Sequence, residues 1–255
     1  MYKIPAKTLF MGKNMVFVPE CHSTNTLAVE LTQKRDLVEG TVIITNNQTK
    51  GRGQQGNVWM TEPGKNLTFS VVLKPTFLHT RDQFLLNMAI SLGVCDFLSE
   101  LKKPVHVKWP NDVMIDHKKI CGILIESQIQ GSTFSRTIVG IGLNVNQRGF
   151  SSPRATSMTL ETAEPHDLQY CLDRLCGSLE QWYLLLRQHD HRKIKAAYLD
   201  RLYGAFKKRN FIQNGEAFEG TIEGVDDSGR LMISTDSGLK YYNTKEVSFD
   251  YEPLT

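Results

Sequence analysis

Arg52, Lys108 and Lys119 each sit in or beside a tight turn, where a fixed backbone can aim a cation at a phosphate or carboxylate. Gly51-Arg52-Gly53-Gln54-Gln55-Gly56 spells G-x-G-x-x-G. That pattern holds a dinucleotide only where its glycines open a helix straight after a strand. Here Asn57-Val58-Trp59 and then Pro63-Gly64 follow without a helical stripe, so the dinucleotide reading is rejected. What remains is a glycine loop able to bring N–H groups and Arg52 against an anion. A plain surface loop explains the same letters equally well.

Lys108-Trp109-Pro110-Asn111-Asp112 lies between two strands. Pro110 fixes the turn, and Asn111-Asp112 fits either a turn pair or a working amide and carboxylate. Seven residues beyond Asp112, Lys119 opens the strand carrying Cys121-Gly122-Ile123-Leu124, so two ammonium groups and a carboxylate should share one rim. A lysine lining a cleft binds phosphate or carboxylate, whereas one on an exposed edge guards against strand pairing. In Gly140-Ile141-Gly142-Leu143-Asn144-Val145-Asn146 the strand glycines mark a bulge or a close approach. Asn144 either turns the chain or offers its amide to a base edge. No G-x-S-x-G or H-E-x-x-H occurs, and the seven histidines show no ligand spacing.

Periodicity supplies the elements that must position these residues. Val16 to Val18 leads into Ser23-Thr24-Asn25, after which Leu27, Ala28 and Leu31 recur at helical spacing; the serine or threonine fits an N-cap. Thr41 to Thr45 reads as a strand feeding the polar loop Gln48 to Asn57, and Leu67 to Leu73 as another strand. Thr80 with Gln83 forms a capping-box signature ahead of a long apolar stripe running to about Leu101. Strands follow at Val105 to Trp109, Val113 to Ile115, Ile120 to Ile129 and Thr133 to Val145, joined by short turns and therefore antiparallel. The expected fold is α+β, a mixed, largely antiparallel sheet with helices set against one side. Helical stripes return at Leu168 to Leu186 and Arg192 to Leu202. Beyond Gly204, short strands separated by Asp226-Asp227-Ser228-Gly229 and Asp236-Ser237-Gly238 read as a small β-barrel. This divides the chain into units at 1–203 and 204–255.

Composition excludes several classes. With 30 Lys and Arg against 27 Asp and Glu, the net charge of +3 gives no general reason to expect nucleic acid or an anionic membrane as partner. No apolar run approaches the roughly 18 to 20 residues that span a bilayer, and Met1 to Phe10 lacks a signal-peptide apolar block. The five cysteines (Cys21, Cys95, Cys121, Cys171, Cys176) contain no C-x-x-C pair and read as reduced, packed thiols, with the cytoplasm as the default compartment.

Taken in order, Ser23-Thr24-Asn25, Gln48-Thr49-Lys50-Gly51-Arg52-Gly53-Gln54-Gln55-Gly56-Asn57-Val58-Trp59, Lys108-Trp109-Pro110-Asn111-Asp112, Lys119 with Gly122-Ile123-Leu124-Ile125-Glu126, and Gly140-Ile141-Gly142-Leu143-Asn144 resemble the biotin protein ligases. The likeness covers about residues 16 to 146 by motif and the rest by layout. It implies a class II synthetase-like catalytic domain followed by a small SH3-like β domain. It also implies a two-step reaction: biotin and MgATP give biotinyl-5′-AMP and pyrophosphate, then a lysine of a biotin carboxyl carrier protein domain attacks the mixed anhydride. Such chemistry needs no protein nucleophile. It needs cations that hold two mutually repelling anions together and a site closed to water.

By the resemblance, Ser23, Thr24 and Gln48 bind the ureido end of biotin. Asn25, Gly51, Arg52, Gly53, Gln54, Lys119, Gly122 and Gly142 complete the biotin contacts. The ATP set is Arg52, Trp59, Lys108, Asn111, Asp112, Lys119 and Asn144, with Trp59 covering the adenylate and Asn144 meeting the adenine. Catalysis falls to Lys119, Arg52, Lys108 and Asp112, the last to orient or deprotonate the incoming lysine. Magnesium enters as MgATP, with no metal ligand assigned. Gln54, Gln55 and Asn57 stand where many bacterial members carry extra arginines, which lowers the loop's charge. Ser23 lies too near Met1 for a winged helix-turn-helix, so a repressor role is not expected. A homodimer is an expectation carried by the family. The rivals are a lipoate ligase of related fold, whose arginine pair and Gly-Gly-Gly run are missing here, and a non-catalytic binding module.

Overall fold

The computed structural model describes residues 2–5 and 7–250, with the backbone alone at residue 55; residues 251–255 of the expected C-terminal unit lie outside the described residues. In chain order the first part comprises β1 (Met15–Cys21), α1 (Thr24–Lys34), β2 (Val42–Gln48), β3 (Leu67–Leu73), α2 (Gln83–Leu98), β4 (Val105–Lys108), β5 (Asp112–Ile115), β6 (Lys118–Gln130) and β7 (Thr133–Leu143). Then come α3 (Met158–Thr162), α4 (Leu168–Arg187), α5 (His191–Asp200), β8 (Lys208–Gln213), β9 (Glu216–Val225), β10 (Leu231–Thr235), β11 (Gly238–Tyr242) and β12 (Ser248–Phe249).

The first seven strands form one sheet in the order β1-β2-β3-β7-β6-β5-β4, parallel only at β1–β2. Strand alternation sends successive side chains to opposite faces. Val42 and Ile44 thus join the main core under α2 and α4, while Ile43 packs with Val72, Ile138 and Ala28 of α1. Helices therefore cover both faces, not one as expected. β3 shows the reason: every one of its residues is buried, which a strand with one solvated face would not allow.

α2 is apolar nearly all round because it lies between the sheet and α4. The Thr80–Gln83 capping box does not form. Residues Thr80–Asp82 make a 3-10 turn, the α2 N-terminus has no side-chain cap, and Thr80 N–H is drawn to Ser132 O at 2.9 Å instead. The segment Thr80–Leu101 is, contrary to expectation, long and apolar enough by length and composition to cross a membrane, but 67% of its 18-residue apolar window is buried inside the protein, as a core helix would be. α3 was not read from sequence. It is short, and Ser157 caps it by accepting from Leu160 N–H.

The remaining strands form a five-stranded antiparallel sheet, β11-β10-β9-β8-β12. β8 escaped the sequence reading because Phe211 alone is fully buried in it. This sheet shares the main core through Ile222, Leu231, Ile233 and Tyr242. Trp109 Nε1 donates to Gly229 O at 2.9 Å, tying the β4–β5 turn to the β9–β10 turn.

Candidate functional site

A cavity of about 470 Å³ opens where the two sheets meet. Its walls come from the N-terminus of α1, the loop after β2, the β4–β5 turn, the first half of β6, the end of β7, and the five-stranded sheet. The lining includes Ser23, Thr24, Asn25, Gln48, Arg52, Gly53, Gln54, Trp59, Lys108, Asn111, Asp112, Lys119, Gly122 and Gly142. Of the residues named from sequence, Gly51 and Asn144 do not line it.

At one end the polar groups are ordered among themselves. Gln48 Oε1 accepts from Thr24 N–H at 2.8 Å, and Ser70 Oγ, fully buried, lies 2.7 Å from Thr24 Oγ1 and 2.6 Å from Asn25 Oδ1. Ser23 occupies the N-cap position of α1 but makes no side-chain cap bond, so the bland capping role is not what its hydroxyl performs. Thr68 and Ser70 were not read from sequence. The available signal was their alternate placement as hydroxyl residues in the otherwise apolar β3.

The glycine loop is a small flap, not a helix opening. Gly53–Gln54 leads through one 3-10 turn, Arg52 bridges Val58 across the flap, and Gly51 O accepts from Trp59 N–H at 3.0 Å. A Cβ at Gly51 would stand 2.1 Å from Trp59 O, so a side chain there would break the flap's base. The Trp59 indole lies across Gly122 and Gly142, which face each other in the β6–β7 register. A Cβ at Gly142 would stand 2.3 Å from the indole, so these strand glycines serve a close approach.

The charged rim forms opposite. Lys108 and Asp112 are partners in the β4–β5 ladder, and Asp112 Oδ1 lies 2.7 Å from Lys119 Nζ. Alternation alone would put Lys119 on the core side with buried Cys121. A register shift between Val113 and Met114 breaks that alternation and brings the Lys119 ammonium beside Gly122. Lys119 Nζ also lies 5.3 Å from the Trp59 ring centroid, and Lys108 Nζ lies 5.7 Å from that of Phe249 in the five-stranded sheet. Arg52 pairs with Glu126 at 2.6 Å.

Asn144 is 3% exposed; its Nδ2 donates to Thr156 O at 2.9 Å, and its buried Oδ1 has no partner among the described residues. Trp59 Nε1 is likewise buried and unpaired, a costly state that a polar ligand atom would relieve. Burial pushes the thiols of Cys95, Cys171 and Cys176 up to about 12, and it raises that of Cys121 as well. Cys121 is therefore core packing, not a nucleophile. No group of three or more His, Cys, Asp or Glu placed to hold a metal occurs among the described residues.

The arrangement suits the joining of two anions in a cavity lined by cations, with a polar end ready for an amide-like ring. Residues 18–144 match the family model described as biotin/lipoate A/B protein ligase, and residues 210–250 match that of the biotin protein ligase C-terminal domain. The chain is similar to the biotin--[acetyl-CoA-carboxylase] ligase of Paracoccus denitrificans, 30% identical over 237 residues, or 89% of this chain and 97% of that one. It is also 30% identical over 248 residues to the bifunctional ligase/repressor BirA of Bacillus subtilis, covering 94% of this chain and 75% of that one. Among solved structures, the biotin protein ligase from Aquifex aeolicus in complex with biotin and ATP matches with a TM-score of 0.78 at 26% identity, over 94% of this chain and 100% of that one.

Proposed function

The chain belongs to the biotin protein ligases of the biotin/lipoate A/B family, and from that premise we propose how its cavity performs the reaction. The enzyme is an ATP-dependent biotin ligase. A biotin carboxylate oxygen attacks the α-phosphorus of ATP, forming biotinyl-5′-AMP as the bond to pyrophosphate breaks. The amine of an acceptor lysine then attacks the acyl carbon, an amide forms, and AMP leaves with the bonding pair.

One observation supports this assignment most: Arg52, Lys108 and Lys119, from three separated segments, all line the cavity that also holds Ser23, Thr24 and Gln48. The ureido ring binds at the Ser23–Thr24–Gln48 end, where unpaired groups would each cost about 1–3 kcal/mol. Its tail runs along the Trp59 indole, which covers Gly122 and Gly142, toward the charged rim. Lys119 neutralises the biotin carboxylate and later polarises the acyl carbonyl; Lys108 and Arg52 hold the phosphates. Trp59 covers the adenylate and Asn111 lies beside the phosphates, whereas Asn144, bonded through Nδ2 to Thr156 O behind the wall, takes no direct part. Asp112 takes the proton of the acceptor amine. Magnesium fits as a passenger of the nucleotide: phosphate oxygens would hold most of its shell, with Asp112 the acidic side chain lining the cavity, and it would neutralise phosphate charge.

The acceptor is the biotin carrier domain of a biotin-dependent carboxylase. A boundary between a catalytic unit at 1–203 and an SH3-like unit at 204–255, cytoplasmic placement, homodimer formation and the absence of nucleic-acid or membrane partners belong to the same proposal. ATP–pyrophosphate exchange tests the substrate. Exchange that depends on biotin supports the assignment, and exchange supported by lipoate but not biotin overturns it.

A further inference from the structure

Arg52 lines the cavity, yet its guanidinium is bonded to two residues outside the lining. Nη2 donates to Glu126 Oε1 at 2.6 Å and Nη1 to Thr26 Oγ1 at 3.4 Å, and neither acceptor residue lines that cavity. Glu126 is itself fixed. It sits on β6 paired with Ile138, and its Oε2 accepts from Asn25 Nδ2 at 2.8 Å. Asn25 continues through the buried Ser70 hydroxyl to Thr24 and Gln48. The carboxylate is thus anchored to the polar end of the site while it holds the cation of the flap.

Resting on the ligase assignment above, we propose that Glu126 is a latch for Arg52, holding the guanidinium from outside the lining in the unliganded chain and yielding it to the anionic adenylate. The Arg52 and Glu126 side chains are 48% and 32% exposed, so solvent screens their attraction and the pair is weak. An anion inside the cavity is screened less, and Arg52 on its glycine-flanked flap can follow it. Glu126 cannot follow, because its strand and Asn25 keep it in place. Breaking the latch on binding subtracts from affinity, which makes Glu126 a positioning residue that acts through Arg52.

Glu126→Gln removes the charge but keeps an oxygen for Asn25 Nδ2. Calorimetric titration with biotinyl-5′-AMP should show about two- to fivefold tighter binding than wild type, and no change when Glu126→Gln is added to Arg52→Ala. Thr26→Val should shift affinity in the same direction by less. Without any ligand, trypsin should cut after Arg52 faster in Glu126→Gln than in wild type, with thermal midpoints unchanged. Weaker or equal binding in Glu126→Gln, the same shift in the Arg52→Ala background, or an unchanged trypsin rate overturns the latch. A wild-type chain that fails to bind biotinyl-5′-AMP overturns the ligase assignment instead, and the trypsin comparison still decides the latch.

Discussion

Asp112 Oδ1 stands 2.7 Å from Lys119 Nζ, across neighbouring strands whose register shifts between them. The carboxylate and the ammonium hold each other at the rim until substrates arrive, and the two steps use them differently. Lys119→Ala should cut adenylate formation by about 10²- to 10³-fold, the loss typical of a removed charge-stabilising donor. Unfolding free energy should change by no more than about 1 kcal/mol, because the pair is partly exposed. Asp112→Asn should slow transfer from preformed biotinyl-5′-AMP more than it slows pyrophosphate exchange. Equal loss in both steps would remove Asp112 from the second.

Gly142→Ala tests the seat of the indole. The new Cβ would stand 2.3 Å from Trp59, so the ring must leave the β6–β7 surface. Trp59 is partly exposed, which lets it move without opening the core. Fluorescence of the variant should report a more solvated tryptophan, and biotin affinity should fall at least tenfold with the thermal midpoint held within a few degrees. Wild-type affinity in this variant would separate the glycines from the ligand path.

Trp109→Phe removes the Nε1 bond to Gly229 O while keeping most of the aromatic volume. Loss of one such bond costs about 1 kcal/mol. Hydrogen exchange should rise at the β9–β10 turn in this variant, and an unchanged turn would mean that core packing alone holds the five-stranded sheet.

The raised thiols set a pH dependence. Cys95, Cys171 and Cys176 stay neutral in the folded chain up to about 12, whereas an unfolded thiol ionises near 9. A folded pKa above the unfolded one contributes stability that is whole below the unfolded value and is lost as pH rises toward the folded value. The thermal midpoint should therefore fall between pH 9 and 12. Replacing Cys95 by alanine should flatten that fall, though the cavity lowers the starting value. At neutral pH an alkylating reagent should reach Cys21 first, since the other cysteines are buried.

Much of this site was legible in the sequence because its chemistry sits on short, ordered segments. Ser23, Thr24, Gln48, Arg52, Lys108, Asp112 and Lys119 all reach the cavity from the motifs that named them. What escaped depends on geometry between segments. The register shift that turns Lys119 toward Gly122 leaves no mark in residue type, because alternation around Ile120 and Cys121 reads as an ordinary buried strand. α1 was read as a helix, yet its face could not be assigned: its packing on Ile43, Val72 and Ile138 is a property of the sheet's second surface. Phe249 reaches the cavity from the two-residue β12, too short to carry a period. Gly51 and Asn144 belong to the motifs but stand behind the wall, where backbone closure and a hydrogen bond from Asn144 Nδ2 to Thr156 O place them.

Transfer of labelled biotin to the lysine of a purified biotin carrier domain, with ATP and magnesium, tests the central claim most directly when wild type is run beside Arg52→Ala and Lys119→Ala. The account predicts label on the carrier with wild type, dependent on ATP, and label reduced by at least about 10²-fold with each folded variant. Wild-type labelling that both variants retain in full would contradict the cavity as the place where the two anions meet.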